Sequence, residues 1–231
     1  MGIQKNVKEV LAKVELAANK VNKTLDDITV IAVTKTVDFE KALQAVDAGL
    51  LNLGENRVQE FRNKNEQITN SNINWHIIGH LQTNKVKYIV GKVKLIHSVE
   101  SKSLAEEINK RSEQHDLISE VLIEMNIGEE DSKFGLKKED LFDFLISIEN
   151  LENIKVVGLM TVAPFSENKE DVRWVFKEMK CLFDKVSTHS YKNVEMKYLS
   201  MGMTNDFEIA IEEGANIIRI GTAIFGSRVY K

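Results

Sequence analysis

The segment "ITVIAVTKTV" (residues 28–37) places a lysine at the end of an apolar run. Six of the seven residues from Ile28 to Thr34 are β-branched, a pattern that predicts a strand buried on both faces. By the period of two, Ile31, Val33 and Lys35 fall on one strand face. If Ile31 and Val33 face a barrel interior, Lys35 projects into its mouth. Desolvation there lowers the pKa of an ammonium group. A neutral lysine is a nucleophile that forms a Schiff base with a carbonyl. The plainer expectation is a lysine that snorkels from a strand end into water.

A second group lies near the C-terminus, in "IIRIGTAIFG". Arg219 interrupts an apolar strand and shares a face with Ile217 and Gly221. A buried guanidinium needs an acceptor or an anion. Gly221 leaves space above it, and the N–H groups of Gly221 and Thr222 open a short helix, an arrangement that binds phosphate. The alternative is a core arginine paired with a carboxylate beside a routine glycine turn. The preceding loop, "SMGMTND", offers the Ser200 hydroxyl, then Met201 and Gly202. Gly202 permits close approach of backbone to a ligand. Thr204 or Asn205 is placed to cap the next helix, with Asp206 and Glu208 in its first turn. Asn56 follows another predicted strand and can hydrogen-bond a ligand hydroxyl, although asparagine is common at turns.

Other chemistry is thinly represented. His76 and His80 have the i, i+4 spacing of helical metal ligands, but their segment reads as strand and loop without a carboxylate, so structural histidines are expected. "GEEDSKFG" lacks the length and alternation of a calcium loop. The single cysteine, Cys181, points away from the apolar stripe of its helix, so neither a disulfide nor a cysteine metal site is expected. Trp75 and Trp174 fit core or semi-buried packing.

The elements that must position these residues alternate between strand and helix. Strand patterns cover residues 29–34, 51–53, 75–78, 94–97, 120–126, 154–159, 195–199 and 216–220. Helical patterns cover 38–48, 55–68, 83–90, 101–115, 138–149, 168–187 and 203–213. Val7, Val10, Leu11, Val14, Ala17 and Val21 add an amphipathic N-terminal helix. Eight strands alternating with helices predict an α/β fold, a single (β/α)8 TIM barrel over residues 1–231 with an additional N-terminal helix. A doubly wound sheet would show a glycine-rich turn after its first strand; here the turn is "TKTVDF". In such barrels chemistry gathers at the C-terminal strand ends, and Lys35, Asn56, Ser200, Arg219 and Gly221 all fall there. The chain of 231 residues is 43% hydrophobic with a formal net charge of −4. That balance argues against a bulk nucleic-acid binder. No run reaches the roughly 18 apolar residues of a membrane span, and no signal peptide opens the chain. A cytoplasmic protein is expected.

A lysine that captures a carbonyl, a phosphate cup and a buried arginine together match one ligand: an aldehyde with a phosphate and a ring nitrogen. Pyridoxal 5′-phosphate (PLP) carries all three. Over its whole length the chain also resembles the pyridoxal phosphate homeostasis proteins. The resemblance rests on "IAVTKT", "LGENRVQEF", "WHIIGHLQTNK", "IHSVES", "NIGEEDSKFGL", "VVGLMTVAP" and, most specifically, "LSMGMTNDFEIAIEEGANIIRIGTAIFG". It implies a barrel similar to the N-terminal domain of alanine racemase and an aldimine between PLP and Lys35. It also implies phosphate contacts from Ser200, Gly202, Gly221 and Thr222, with Met201 beside them. Arg219 would face the pyridine nitrogen, and Asn56 the ring substituents. The family continues its lysine as Lys-Thr-Lys/Arg-Pro; here Lys35-Thr36-Val37-Asp38 lacks the proline.

The resemblance implies a monomer that supports vitamin B6 and amino-acid balance without robust turnover. Its partners would be PLP, amino acids and PLP-accepting apo-enzymes. The alternative is a PLP-dependent amino-acid racemase. Two-base racemisation needs a second acid/base opposite the cofactor, and the chain is expected to lack the second domain that supplies it. A Schiff-base aldolase for phosphorylated sugars shares the lysine and the phosphate cup but gives no reason for Arg219.

Overall fold

The β-branched run forms β1 (Thr29–Val33) in a computed structural model that describes residues 2–68, 72–130 and 133–226. It is followed by β2 (Asn52–Glu55), β3 (Asn74–Ile77), β4 (Leu95–Val99), β5 (Ser119–Met125), β6 (Ile154–Thr161), β7 (Val194–Met203) and β8 (Ile217–Ile220). The strands pair in chain order as a closed barrel, and β8 closes the ring in parallel against β1. Closure leaves no sheet edge.

The helices follow the expected order: α1 (Ile3–Asn19), α2 (Phe39–Asp47), α3 (Val58–Gln67), α4 (Lys102–Gln114), α5 (Leu141–Ile148), α6 (Arg173–Ser187), α7 (Phe207–Glu212) and α8 (Thr222–Phe225). Side-chain caps begin two of them: Asp38 accepts from the Lys41 amide at α2, and Ser101 from the Leu104 amide at α4. The helix expected at 83–90 forms instead as a 3-10 helix, Thr83–Tyr88. The last turn before α7 also differs. Asp206, rather than Thr204 or Asn205, is the N-cap position, and its carboxylate accepts from the Met203 amide at 2.6 Å.

Two apolar layers result from the alternation along the strands. Ile31, Leu95, Leu122, Val157, Met160 and Ile217 fill the barrel interior. Their neighbours on the other strand face join the helices in a second layer, where Val7, Val10, Val14 and Ala17 bury the stripe of α1. Trp75 is buried edge-on to Phe61, but Trp174 is 53% exposed, contrary to expectation. Cys181 is exposed, as its place off the stripe predicts. α1 packs against α2, α7 and α8. The acidic loop "GEEDSKFG" is described only in part, because Asp131 and Ser132 lie outside the described residues. Among the described residues no helix is long and apolar enough to cross a membrane, and no group of His, Cys, Asp or Glu is placed to hold a metal ion.

Candidate functional site

Lys35 leaves the barrel in a turn just after β1, half-buried. The residues on either side of it are pinned by α3 and β2. Before it, the Thr34 hydroxyl donates to Glu55 Oε1 at 2.6 Å, and the buried Lys64 donates to both Glu55 Oε1 and the Thr34 carbonyl at 2.6 Å. Burial raises the Glu55 carboxyl above its ordinary range, against the pull of Lys64. After it, Thr36 adopts a left-handed φ of 61°, uncommon for a β-branched residue. Its amide is held by Glu60 Oε2 at 2.7 Å. This clamp fixes the backbone that aims Lys35.

Lys35 lines a cavity of about 500 Å³ at the C-terminal mouth of the barrel. Asn56, Arg219, Gly221 and Thr222 share its wall, so five of the eight sequence-predicted site residues meet there. The register explains the meeting. Ile31 lies beside Arg219 and Ala32 beside Ile220, so the ends of β1 and β8 are neighbours. A Cβ at Gly221 would meet nothing closer than Val33 at 3.6 Å, which leaves this stretch of wall open to a ligand.

Ser200, Met201 and Gly202 are not among the lining residues; Met203, Thr204, Asn205 and Asp206 are. The reason is an irregularity in β7. Ser200 lies opposite Ile217 and Met203 opposite Arg219, so β7 spends one more residue than β8 over that stretch. Gly202 takes φ +92° there, and a Cβ on it would run into Ala210 at 2.6 Å and Phe207 at 2.9 Å. It serves the packing of α7. The extra residue leaves Ser200 wholly buried inside the barrel and carries the chain outward to Met203–Asp206. Pattern reading assumes an even ladder and has no signal for such a shift. The β6 loop supplies the facing wall through Val162, Ala163, Pro164 and Phe165, within the strand end "MTVAPF".

Arg219 is 4% exposed. It donates to Ser200 Oγ at 2.6 Å and to the Thr161 carbonyl at 2.7 Å. Among the described residues no carboxylate pairs with it directly. Burial lowers its pKa to about 10, opposed by the nearby charges of Glu124 and Asp206, so it stays a cation at neutral pH. Below it lie His97, 3.0 Å from Ser200 Oγ, and His76, 3.0 Å from His97 and 3.2 Å from Asn52. Burial drives His76 down to about 3, and His97 well below the usual histidine range, where His76 and Arg219 add to the effect. Both shifts favour the neutral rings, and the hydrogen-bonded burial of His76 fits the structural histidine expected there. His80 is apart from them, stacked on Phe134 and 2.9 Å from Glu100. The charged groups lining the cavity are Lys35, Lys169 and Arg219 against Asp206, a balance that favours an anionic ligand.

Residues 10–229 match the family model described as alanine racemase, N-terminal domain. A relative from Aquifex aeolicus named pyridoxal phosphate homeostasis protein is 44% identical over 230 residues, covering 100% of both chains. The structure of PipY from Synechococcus elongatus with PLP bound superposes with a TM-score of 0.81 at 28% identity, covering 93% of this chain and 99% of that one. Clostridium difficile alanine racemase shares the fold alone: TM-score 0.71 at 16% identity, covering 98% of this chain and 57% of that one.

Proposed function

Because the chain belongs to the alanine racemase N-terminal domain family and, within it, to the pyridoxal phosphate homeostasis proteins, we propose that it holds PLP reversibly at Lys35. One barrel domain serves as the carrier and supports the cellular balance of PLP and amino acids. The observation that carries this reading is the meeting of Lys35, Arg219 and the open Gly221–Thr222 turn around one cation-rich cavity. Those residues fit a phosphorylated aldehyde with a ring nitrogen.

When bound, PLP supplies an aldehyde that condenses with a primary amine, releasing water, and a ring that accepts electron density. Lys35 would provide that amine and would be exchangeable for another primary amine. The backbone N–H groups of Gly221 and Thr222 would hold the phosphate. Thr204 completes that cup; its Oγ1 lies 3.4 Å from the Ala223 amide, which ties the β7 loop to α8. Arg219 would face the ring nitrogen and, as a cation, would disfavour protonation there. That would weaken the electron sink and suit holding over turnover. Asn56 would flank the ring. Ser200 acts from behind, through Arg219, and Met201 and Gly202 through packing. Incoming amino acids would be the displacing amines and apo-enzymes the recipients, with the protein acting as a cytoplasmic monomer.

The test is an absorbance spectrum with added PLP, followed by borohydride reduction and peptide mapping. A visible band and a reduced adduct at Lys35 are expected, with no amino-acid racemisation above background. Absence of both band and adduct under excess PLP would overturn the reading. Steady racemisation by the loaded protein would make it an enzyme.

A further inference from the structure

Ser200 sits between a group that only donates and a ring that must therefore accept. Arg219 Nη1 lies 2.6 Å from Ser200 Oγ, and a guanidinium has no acceptor. The Ser200 oxygen thus accepts from Arg219, and its one proton is left for His97 Nδ1 at 3.0 Å. A neutral imidazole that accepts at Nδ1 carries its proton on Nε2. His97 Nε2 is 3.0 Å from His76 Nδ1, so His76 also accepts at Nδ1 and carries its proton on Nε2. That proton meets Asn52 Oδ1 at 3.2 Å. The reverse order leaves the Ser200 proton without an acceptor in a fully buried place, because its oxygen already faces Arg219 Nη1.

We infer that a one-way hydrogen-bond chain, Arg219 to Ser200 to His97 to His76 to Asn52, crosses the barrel beneath the cavity, and that Ser200 and His97 are positioning residues for Arg219. The chain draws on β2, β3, β4, β7 and β8. A sixth element, β6, receives the second guanidinium nitrogen through Thr161. Two of the guanidinium's directions are thereby fixed from below, and its remaining N–H groups are left for the cavity that Arg219 lines. The Ser200 hydroxyl has no proton to spare for a ligand phosphate, which deepens the reading above by leaving that task to Thr204 and the turn after β8. The lowered basicity of both rings agrees with this arrangement: burial is the main cause for each, aided by Lys94 at His76 and by His76 and Arg219 at His97.

The first measurement needs no cofactor. Nitrogen-15 NMR of the unliganded protein at neutral pH, with the rings assigned through His76→Gln and His97→Gln, is expected to show both as neutral Nε2–H tautomers. Finding either as Nδ1–H or as an imidazolium would overturn the chain. The second uses Ser200→Ala. Loss of the hydroxyl is expected to shift the tautomer balance of His97, move the visible band of the PLP-loaded protein and weaken PLP binding about tenfold, the effect of losing a hydrogen bond to a charged group. Ser200→Thr, which restores the hydroxyl, is expected to return the band toward that of the unaltered protein. A Ser200→Ala protein with unchanged His97 tautomer and unchanged band would remove the positioning role. If no band forms even without substitution, the cofactor reading fails, while the tautomer result still decides the chain.

Discussion

Glu124 stands on the inner face of β5, two residues beyond Leu122 of the interior core. Burial, helped by the like charge of Glu100 and opposed by Arg219, raises its carboxyl to about 7. One of its oxygens is buried without a partner among the described residues. Folding therefore favours the protonated form. That contribution is fully present below the unfolded value of 4.5 and is lost as pH rises through about 7. Glu124→Gln, neutral throughout, is expected to gain in thermal stability over the unaltered protein between about pH 5 and pH 8. Melting curves of the unliganded protein check this, and a difference that does not change with pH would refute it. Gly221 makes a second case. A Cβ there meets only ordinary contacts, so Gly221→Ala is expected to keep its melting temperature while binding PLP at least tenfold more weakly, as a methyl group enters the ligand's space. Lost stability with intact binding would place Gly221 in the fold and not in the site. At this scale, the residues legible in the sequence were those that break a pattern: Arg219 interrupts an apolar strand, and Lys35 and Gly221 each end one. Thr204, Asn205 and Asp206 break none. They reach the cavity only through the irregularity at Gly202, and Ser200 is withdrawn from it by the same shift.

α3 shows what an element adds. Its Lys64 is buried, 2.6 Å from a Glu55 that is itself fully buried, and both grip Thr34, the residue before Lys35. Removing one member strands the other's charge, which costs about 3–5 kcal/mol, whereas replacing both by apolar groups is often close to neutral. Lys64→Met is thus expected to be strongly destabilising in urea unfolding, and adding Glu55→Met is expected to recover most of the loss. PLP binding should stay weak in the double variant, because the turn that aims Lys35 has lost its clamp. Equal losses in the single and double variants would mean that packing, not charge, holds the pair. The helix itself was legible from its periodicity, but a lysine on its buried face was not. Pattern reading assigns charged residues to water, and only the tertiary partner, Glu55, reverses that assignment. The 3-10 helix at Thr83–Tyr88 was hidden for a related reason: Val86 and Ile89 are buried at a spacing of three, which suits both helix types.

Across the whole molecule, eight strands alternating with helices made the barrel legible, because each strand–helix unit can bury its apolar face only against its neighbours. The docking place of α1 was not legible, since an amphipathic stripe states that a helix is covered without stating by what. The structure sets α1 on α7 and α8, joining the two ends of the sequence. The link reaches the site. Asn6 donates to the Ile224 carbonyl at 2.8 Å, and Ile224 belongs to α8, whose first residue, Thr222, lines the cavity. A helix of four residues cannot hold its shape alone, so the geometry of the N–H groups after β8 depends on what grips its far end. Asn6→Ala is expected to cost about 1 kcal/mol in urea unfolding, the worth of one hydrogen bond. It is also expected to speed hydrogen exchange in α8 and to weaken PLP binding several-fold. Lys20→Ala removes only the exposed pair between α1 and Glu212 of α7, and is expected to change neither exchange in α8 nor PLP binding. If Asn6→Ala and Lys20→Ala bind PLP alike, α1 is a cover for the barrel and nothing more. If they differ in this order, α1 helps to shape the cavity wall at Thr222, where the proposed phosphate cup lies.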